Sequence, residues 1–490
     1  MSEQQEQGIV FPRAADGRRS TAAVGRAVVA DALREVDPVG SVDAEQETNW
    51  RSGYLIHFRR LLEAGLSSRE AALAIAAGGL TSLHDRMEVV SSNGSELPLR
   101  SWTGSGARRP IETIEVRGDG EAETELSLPF RGQRLRGDDL HHRLDAWVAG
   151  GVLEPSAAEA VRRVMENPDW LRLEGQTVAV LGAGAEMGPL QALLRWGARV
   201  AAVDLPRPEI WQRLLETARH GAGTTLVPVE PGRGEDVHHH AGADLVSEVP
   251  DVAEWVTGLP DRVVLGNYVY ADGATNVRVS MAVDALTTRL LEAHDDVALA
   301  FLATPTDVFA VPGEAVDQAT RAYEGRSSTA KLLGRPLRAA SAGRLLRRAY
   351  VPGTDPGVND SLVPQQGPNY ALAKRLQRWR AAVARDAGTT VSLNVAPPTR
   401  TRSVVKNRAL AAAYAGAHRF GVEVFEPATS NVLMAALLVH DLHTGGGPKH
   451  DHPWEDEAFA AVHGGLWRTG YAPRSALGLA ALLGYGAARA

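Results

Sequence analysis

A chain of 490 residues is too long for one ordinary hydrophobic core, so two or more structural units are expected. Its apolar share of 44% and charged share of 23% are those of a globular protein, and a net charge of −7 argues against general nucleic-acid binding, which needs a basic footprint. Cysteine is absent, which excludes disulfides, thiolate catalysis and cysteine-ligated zinc.

No apolar run reaches the length of about 18 residues that a membrane span requires. The first residues, MSEQQEQGIVFPR, lack the basic and apolar regions of a signal peptide, so a cytoplasmic location is the expectation. Residues 1–20 read as a polar, frayed segment. Helical spacing of apolar residues then runs from Ala22 to Arg34 and from Tyr54 to Ala64, and Ser67-Ser-Arg-Glu70 resembles a capping box before Ala71. After a Ser/Gly/Arg-rich loop at 91–110, Ile111 to Val116 and Glu123 to Pro129 read as two strands of a hairpin turning at Arg117-Gly-Asp-Gly120. Helices are expected at about 138–150 and 155–166. From Gln176 onward short apolar runs alternate with helical stretches, the signature of parallel strands joined by crossover helices. Strands are expected at 177–181, 199–204, 224–228, 243–246, 262–266, 297–303 and 389–395. The stretch 313–368 interrupts this rhythm with an arginine-rich helix and a Pro/Gly loop, as an insertion over a binding site would. Helices at about 455–464 and 474–488 close the tail.

Two segments carry chemistry. In Val178-Ala-Val-Leu-Gly182-Ala-Gly184-Ala-Glu186-Met-Gly188, a strand runs into a glycine turn and a helix. Such a turn lets backbone approach a pyrophosphate, and the helix start favours an anion. Asp204 ends the next strand, where a carboxylate accepts hydrogen bonds from ribose hydroxyls and disfavours a 2′-phosphate. NAD is therefore expected ahead of NADP, with Arg207 pulling the other way. An acidic residue at this strand end would equally serve the ribose of S-adenosylmethionine in a transferase. The plainer reading is a structural strand–helix turn.

The second segment is Asn369-Tyr370-Ala-Leu-Ala-Lys374. Positions i and i+4 share a helix face. An ammonium beside a phenol favours the phenolate, so the tyrosine could act as acid or base near neutral pH. With nine tyrosines and four lysines in the chain, the pair should arise by chance only ~0.07 times. The alternative is a surface contact on a basic helix, given the neighbours Arg375, Arg378 and Arg380.

With these motifs in this order, the region of about 175–440 resembles the short-chain dehydrogenase/reductase superfamily. Val263-Val-Leu-Gly-Asn267 matches its strand ending in asparagine. Leu302-Ala-Thr304-Pro-Thr306 matches the strand that ends in the catalytic serine, and Asn394-Val-Ala-Pro397-Pro-Thr399-Arg-Thr401 matches the segment that holds the nicotinamide amide. The resemblance implies a doubly wound parallel α/β sheet of Rossmann type; the residue pattern outside it adds an α-rich N-terminal region (1–170, with a short hairpin) and a helical tail (441–490). It implies a carbonyl/alcohol oxidoreductase. Tyr370 would be its acid/base, and Lys374 would lower the phenol's pKa and hold the ribose. Thr304 would polarise the substrate oxygen. Gly182, Gly184, Gly188, Asp204, Asn267 and Thr401 would hold NAD, with NADP as the second choice. Partners would be a small-molecule substrate and further copies of the chain, with no nucleic acid or membrane span. The sequence departs from the family at Glu186, which replaces a turn glycine, at the threonine in place of serine, at Pro398 and in the long stretch between Thr304 and Tyr370. Those departures support an alternative, a catalytically degenerate dinucleotide-binding protein with a sensing role.

Three weaker signals remain. His238-His-His240 reads as a solvated loop. His440, His443, His450 and His452 with Asp441 and Asp451 read as a glycine-rich loop or, less simply, a metal site. Arg335, Arg338, Arg344, Arg347 and Arg348 read as a solvated face or a grip on an anionic substrate group.

Overall fold

The computed structural model describes residues 7–91, 93–101, 110–232 and 236–486. At its centre is a seven-stranded sheet whose strands, numbered in chain order within it, are β1 (Glu112–Arg117), β2 (Gln176–Leu181), β3 (Arg199–Val203), β4 (Thr224–Val229), β5 (Arg262–Asn267), β6 (Val297–Ala303) and β7 (Thr390–Val395). They lie side by side in the order β7-β6-β5-β2-β3-β4-β1, all parallel except the edge strand β1, which runs antiparallel to β4. This is a mixed α/β fold of Rossmann type. The strand order reverses between β2 and β5, and a crevice outside the carboxyl ends of the strands at such a reversal is the usual ligand position in these sheets.

The apolar runs form strands because both sheet faces are covered. Val178 and Val180 enter one hydrophobic cluster, whereas Ala179 and Leu181 enter the other. One face packs against helices 274–293 and 368–386 and, beyond them, the N-terminal helices Thr21–Leu33, Trp50–Gly65 and Arg69–Arg86. The opposite face packs against helices 155–166, 208–220 and 427–443. With no wet face, the strands read as continuous apolar runs rather than alternating ones.

Three expectations are corrected. Residues 111–116 do not form a hairpin with 123–129. Glu112–Arg117 joins the exposed edge of β4, and the glycines of the presumed turn dock on the end of helix 208–220: Gly118 N–H donates to Gly223 O and Gly120 N–H to Gly221 O. A Cβ at Gly118 would lie 1.9 Å from Gly221 O, so close approach, not turning, requires that glycine. The hairpin instead pairs Leu128–Phe130 with Gln133–Leu135. Residues 243–246 form no strand. Asp244 accepts from Val246 N–H, Glu248 accepts from Asp244 N–H, and Val246 O receives Ile9 N–H, so local carboxylates and the N-terminal segment take the groups a ladder would use. Ser68, not Ser67, caps helix 69–86, accepting from Ala71 N–H.

The stretch after β6 holds helices Gly313–Glu324 and Ser328–Ala340 and a two-stranded ribbon, Val308–Val311 against Gly357–Asp360. Arg335, Arg338, Arg344 and Arg347 are exposed there. Arg338 donates to the Tyr323 hydroxyl and Arg348 pairs with Glu324. No helix among the described residues is long and apolar enough to cross a membrane.

Candidate functional site

The glycine turn sits at the point where strand order reverses. Gly182 has φ +82°, and a Cβ on it would lie 2.9 Å from Tyr268 O, just past the end of β5. Only glycine meets both demands. Gly184 N–H donates to Asp204 Oδ2 (2.8 Å), and the other carboxylate oxygen accepts from Leu205 N–H (2.8 Å). Burial pushes the Asp204 pKa up despite these two bonds. The carboxylate thus braces the turn while sitting at the end of β3 beside the crevice. Gly188 closes the turn, its carbonyl accepting from buried Asn431 of helix 427–443.

Much of the turn's anion-binding capacity is spent internally. The N–H groups of Gly182 and Ala183 bond Val203 O, Ala185 bonds Gly182 O and Gly188 bonds Ala185 O. Among the described residues, those of Glu186 and Met187 are left in the stretch 182–188. The following helix, Leu190–Arg195, is short. Glu186 reaches across the crevice. Its carboxylate accepts from Arg402 N–H (2.8 Å) and pairs with the Arg402 guanidinium (3.1 Å), at the start of helix Arg402–Lys406 beyond β7. Thr401 precedes that helix without capping it, its hydroxyl meeting that of Ser403 instead. At the ribose end, these residues fit a dinucleotide: Asp204 is in place and Gly182 and Gly184 admit backbone approach. At the diphosphate end, the carboxylate of Glu186 already holds the groups an anion would seek.

The second segment forms the start of helix Pro368–Asp386. Gly367, at φ +81°, turns the chain into it against Arg51, and Pro368 occupies the first helical position, where its missing N–H costs little. Tyr370, Lys374, Thr304, Thr306 and Tyr54 line one narrow crevice beside the end of β6. Thr304 lies near enough to the Tyr370 hydroxyl to ease its ionisation, and the Thr304 hydroxyl meets that of Thr306 at 2.8 Å. Tyr270 meets the Tyr370 ring edge-on at 6.3 Å. Lys374 Nζ donates to Gln377 Oε1 (3.1 Å) and lies 3.4 Å from Leu302 O, while Gln377 donates to Asn267 Oδ1 (3.3 Å). This polar chain connects the crevice to the end of β5 and so to the glycine turn.

The electrostatics differ from expectation. Burial raises the Tyr370 pKa, with Thr304 opposing and Asp307 adding to the rise. Lys374 does not lower it in this state, because its ammonium is turned to Leu302 O and Gln377. Lys374 itself is brought down by burial from 10.5 to about 8. The helix is not a basic surface either. Arg375 and Arg378 are buried and both grip Asp307 at 2.7 Å, and Arg378 also holds Glu457 through two 2.6 Å bonds. Arg380 pairs with buried Asp284, which His84 also contacts. These pairs fix the helix that carries Tyr370 and Lys374.

The residues missed in sequence are Tyr54, Gln377 and Arg402. Gln377 was discernible, being one turn beyond Lys374 on the same face. The others come from distant segments with no local signature. The histidine-rich tail is taken up in packing. His440 meets Asp441, which accepts from Ser392 and Asn394 of β7; His443 stacks on Trp170; His450 meets Asp456; and His452 caps helix 453–458. No group of three or more metal-ligating side chains occurs among the described residues.

No family model matches the chain, and no curated protein matches it. Among solved structures it is similar to an oxidoreductase of the short-chain dehydrogenase/reductase family from Burkholderia thailandensis, at 13% identity and TM-score 0.32 over 59% of this chain and 92% of that one. It is similar to a 3-oxoacyl-[acyl-carrier protein] reductase from Brucella melitensis, at 16% identity and TM-score 0.34 over 61% and 96%. It is also similar to a protein from Beutenbergia cavernae solved with NADP at low occupancy, at 16% identity and TM-score 0.32 over 60% and 98%.

Proposed function

We propose that the chain is an NAD(P)-dependent oxidoreductase of the short-chain dehydrogenase/reductase type that interconverts a carbonyl and an alcohol. The observation that carries this reading is the gathering of Tyr370, Thr304 and Lys374 around one crevice, wired through Gln377 to Asn267 at the point where strand order reverses. Gly182, Gly184, Gly188, Asp204, Asn267 and Thr401 would hold the dinucleotide. NAD is preferred over NADP because Asp204 presents a carboxylate to the ribose. The bound dinucleotide supplies a hydride to the carbonyl carbon or accepts one from the carbinol carbon.

The chain's own groups handle the proton. Thr304 donates a hydrogen bond to the substrate oxygen. Tyr370 gives that oxygen a proton during reduction and takes it back during oxidation. A phenol held protonated by burial is the form that reduction needs. Lys374 supplies the cation that meets the phenolate as it forms, and its lowered pKa lets it exchange protons near neutral pH. Before the phenolate forms, Gln377 and Leu302 O hold the ammonium.

A second reading, a dinucleotide-binding protein without turnover, draws support from Glu186, whose carboxylate occupies the anion-seeking groups at Arg402. One experiment separates the two. Melting is followed with NAD, NADP and S-adenosylmethionine, and turnover is measured with a panel of ketones. A cofactor that binds only the folded state raises the melting temperature in a dose-dependent manner. The leading reading expects this with a nicotinamide dinucleotide, and it expects Tyr370→Phe to lose turnover while keeping the dinucleotide-induced shift. Dinucleotide binding without turnover of any ketone would leave the second reading. Stabilisation by S-adenosylmethionine alone would overturn both.

A further inference from the structure

Beside the Tyr370 crevice lies a larger, partly open space. The two adjoin, since Thr306, Leu362 and Val363 line both. Its far walls come from helix Arg408–Gly416, the turn Ala417–Phe420 and the C-terminal helix Pro473–Gly484. The two helices touch backbone to backbone. A Cβ at Gly416 would lie 2.0 Å from Ala480 O, and one at Gly484 2.0 Å from Ala412 O, so the glycines let them close together as one wall.

The polar side chains on this wall are already satisfied away from the space. Arg474 pairs with Asp360 at 2.7 Å, Ser361 donates to Asn359, Thr469 donates to Phe420 O, and Tyr471 accepts from Arg326. Thr306 faces Thr304. The remainder is Val, Leu, Ala, Pro and Phe surface, together with the buried phenol of Tyr414. Tyr370 is near enough to that phenol to add to its cost of ionisation. An occupant would meet apolar atoms along the walls and a hydroxyl cluster only at the mouth. A carboxylated, phosphorylated or polyhydroxylated tail would find no partner there and would lose its hydration.

We infer that this space takes an apolar hydrocarbon group of the substrate, and that the reacting oxygen sits at its mouth between Thr304 and Tyr370. The inference rests on the oxidoreductase reading and narrows it to ketones or secondary alcohols with an apolar tail. It also replaces the anionic substrate raised by the arginine-rich helix, since none of those arginines lines either space.

The test is calorimetric binding of linear 2-alkanones of increasing chain length to the unmodified protein, alongside analogues of the same length ending in a hydroxyl group. Each buried methylene contributes about 0.8 kcal/mol, so the dissociation constant should fall about fourfold per carbon until the space is full. A terminal hydroxyl should abolish the gain. Ala413→Phe or Ala476→Phe, each filling the space from a different helix, should flatten the series, and either alone suffices. Affinity independent of chain length, or hydroxyl-ended analogues binding equally well, overturns the inference. Length-dependent binding with no turnover under either dinucleotide would keep the apolar site and reject the oxidoreductase reading. Turnover with no length dependence would do the reverse.

Discussion

Replacing Lys374 by methionine keeps the aliphatic stem and removes the ammonium. The lysine is partly buried, and no carboxylate faces it: burial alone brings its pKa from 10.5 to about 8. That gap corresponds to about 3 kcal/mol favouring the neutral amine in the folded chain over the unfolded one. The sign follows from proton binding. Between about pH 8 and 10.5 the unfolded chain holds more protons than the folded one, so stability rises with pH across that window. Below pH 8 the lysine is charged in both states and the full penalty stands. Lys374→Met removes this penalty. It also loses the bonds to Gln377 and Leu302 O, worth about 1 kcal/mol each at most. The variant should therefore be more stable than the parent by roughly 1–3 kcal/mol at pH 7, with the advantage shrinking to nothing or reversing by pH 10.5. Urea denaturation at half-unit pH steps reads this difference. A stability difference that is the same at pH 7 and pH 10, or a variant less stable at pH 7, would refute the account of Lys374 as a buried cation tolerated for its chemistry. Turnover should be lost in the same variant, as expected where function is bought with stability.

Glu186→Gln should tighten NAD binding about tenfold, because an exposed ion pair and a charge-assisted bond no longer need displacing; unchanged or weaker affinity by calorimetry would show that the carboxylate points away from the ligand. Asp204→Ala should weaken NAD and narrow its margin over NADP, measured by parallel titrations, and an unmodified protein that prefers NADP would assign the ribose end to Arg207. Glu154→Gln should destabilise by about 3–5 kcal/mol, since buried Arg468, held by two carboxylate oxygens, would lose its counter-charge. Burial opposes the ionised form of Glu154, but Arg468 and His463 outweigh it and hold its pKa at about 2 rather than 4.5. Its stabilisation is therefore complete above pH 4.5 and lost as pH falls toward 2, so the Glu154→Gln penalty should shrink over that window in acid-denaturation curves.

The sheet was legible because its strands are buried on both faces, and the glycine turn because φ at Gly182 admits no other residue. The Tyr370–Lys374 pair was legible from helical spacing alone. Its electrostatics were not, because they depend on what surrounds the helix. Arg375 and Arg378 resemble solvent-facing residues until Asp307 and Glu457, far away in sequence, are brought beside them. Residues 243–246 misled because Ala-Asp-Leu-Val says nothing about who takes its backbone hydrogen bonds. The apolar space was invisible because its walls come from separate segments, each reading as an ordinary helix or loop.

The edge strand β1 bears on how the chain assembles during synthesis. Glu112–Arg117 leaves the ribosome long before β4, the strand it must cover. Until residues 224–229 follow, it has no ladder to join. A chain that began at Gln176 would complete β2 to β7 yet leave the outer edge of β4 bare, a row of unpaired N–H and C=O groups open to any other extended chain. It would also lack Tyr54, the wall that the N-terminal helix 50–65 lends to the Tyr370 crevice. The leading segment therefore serves as a built-in guard on the sheet, and cutting it away should yield aggregates rather than a smaller folded chain.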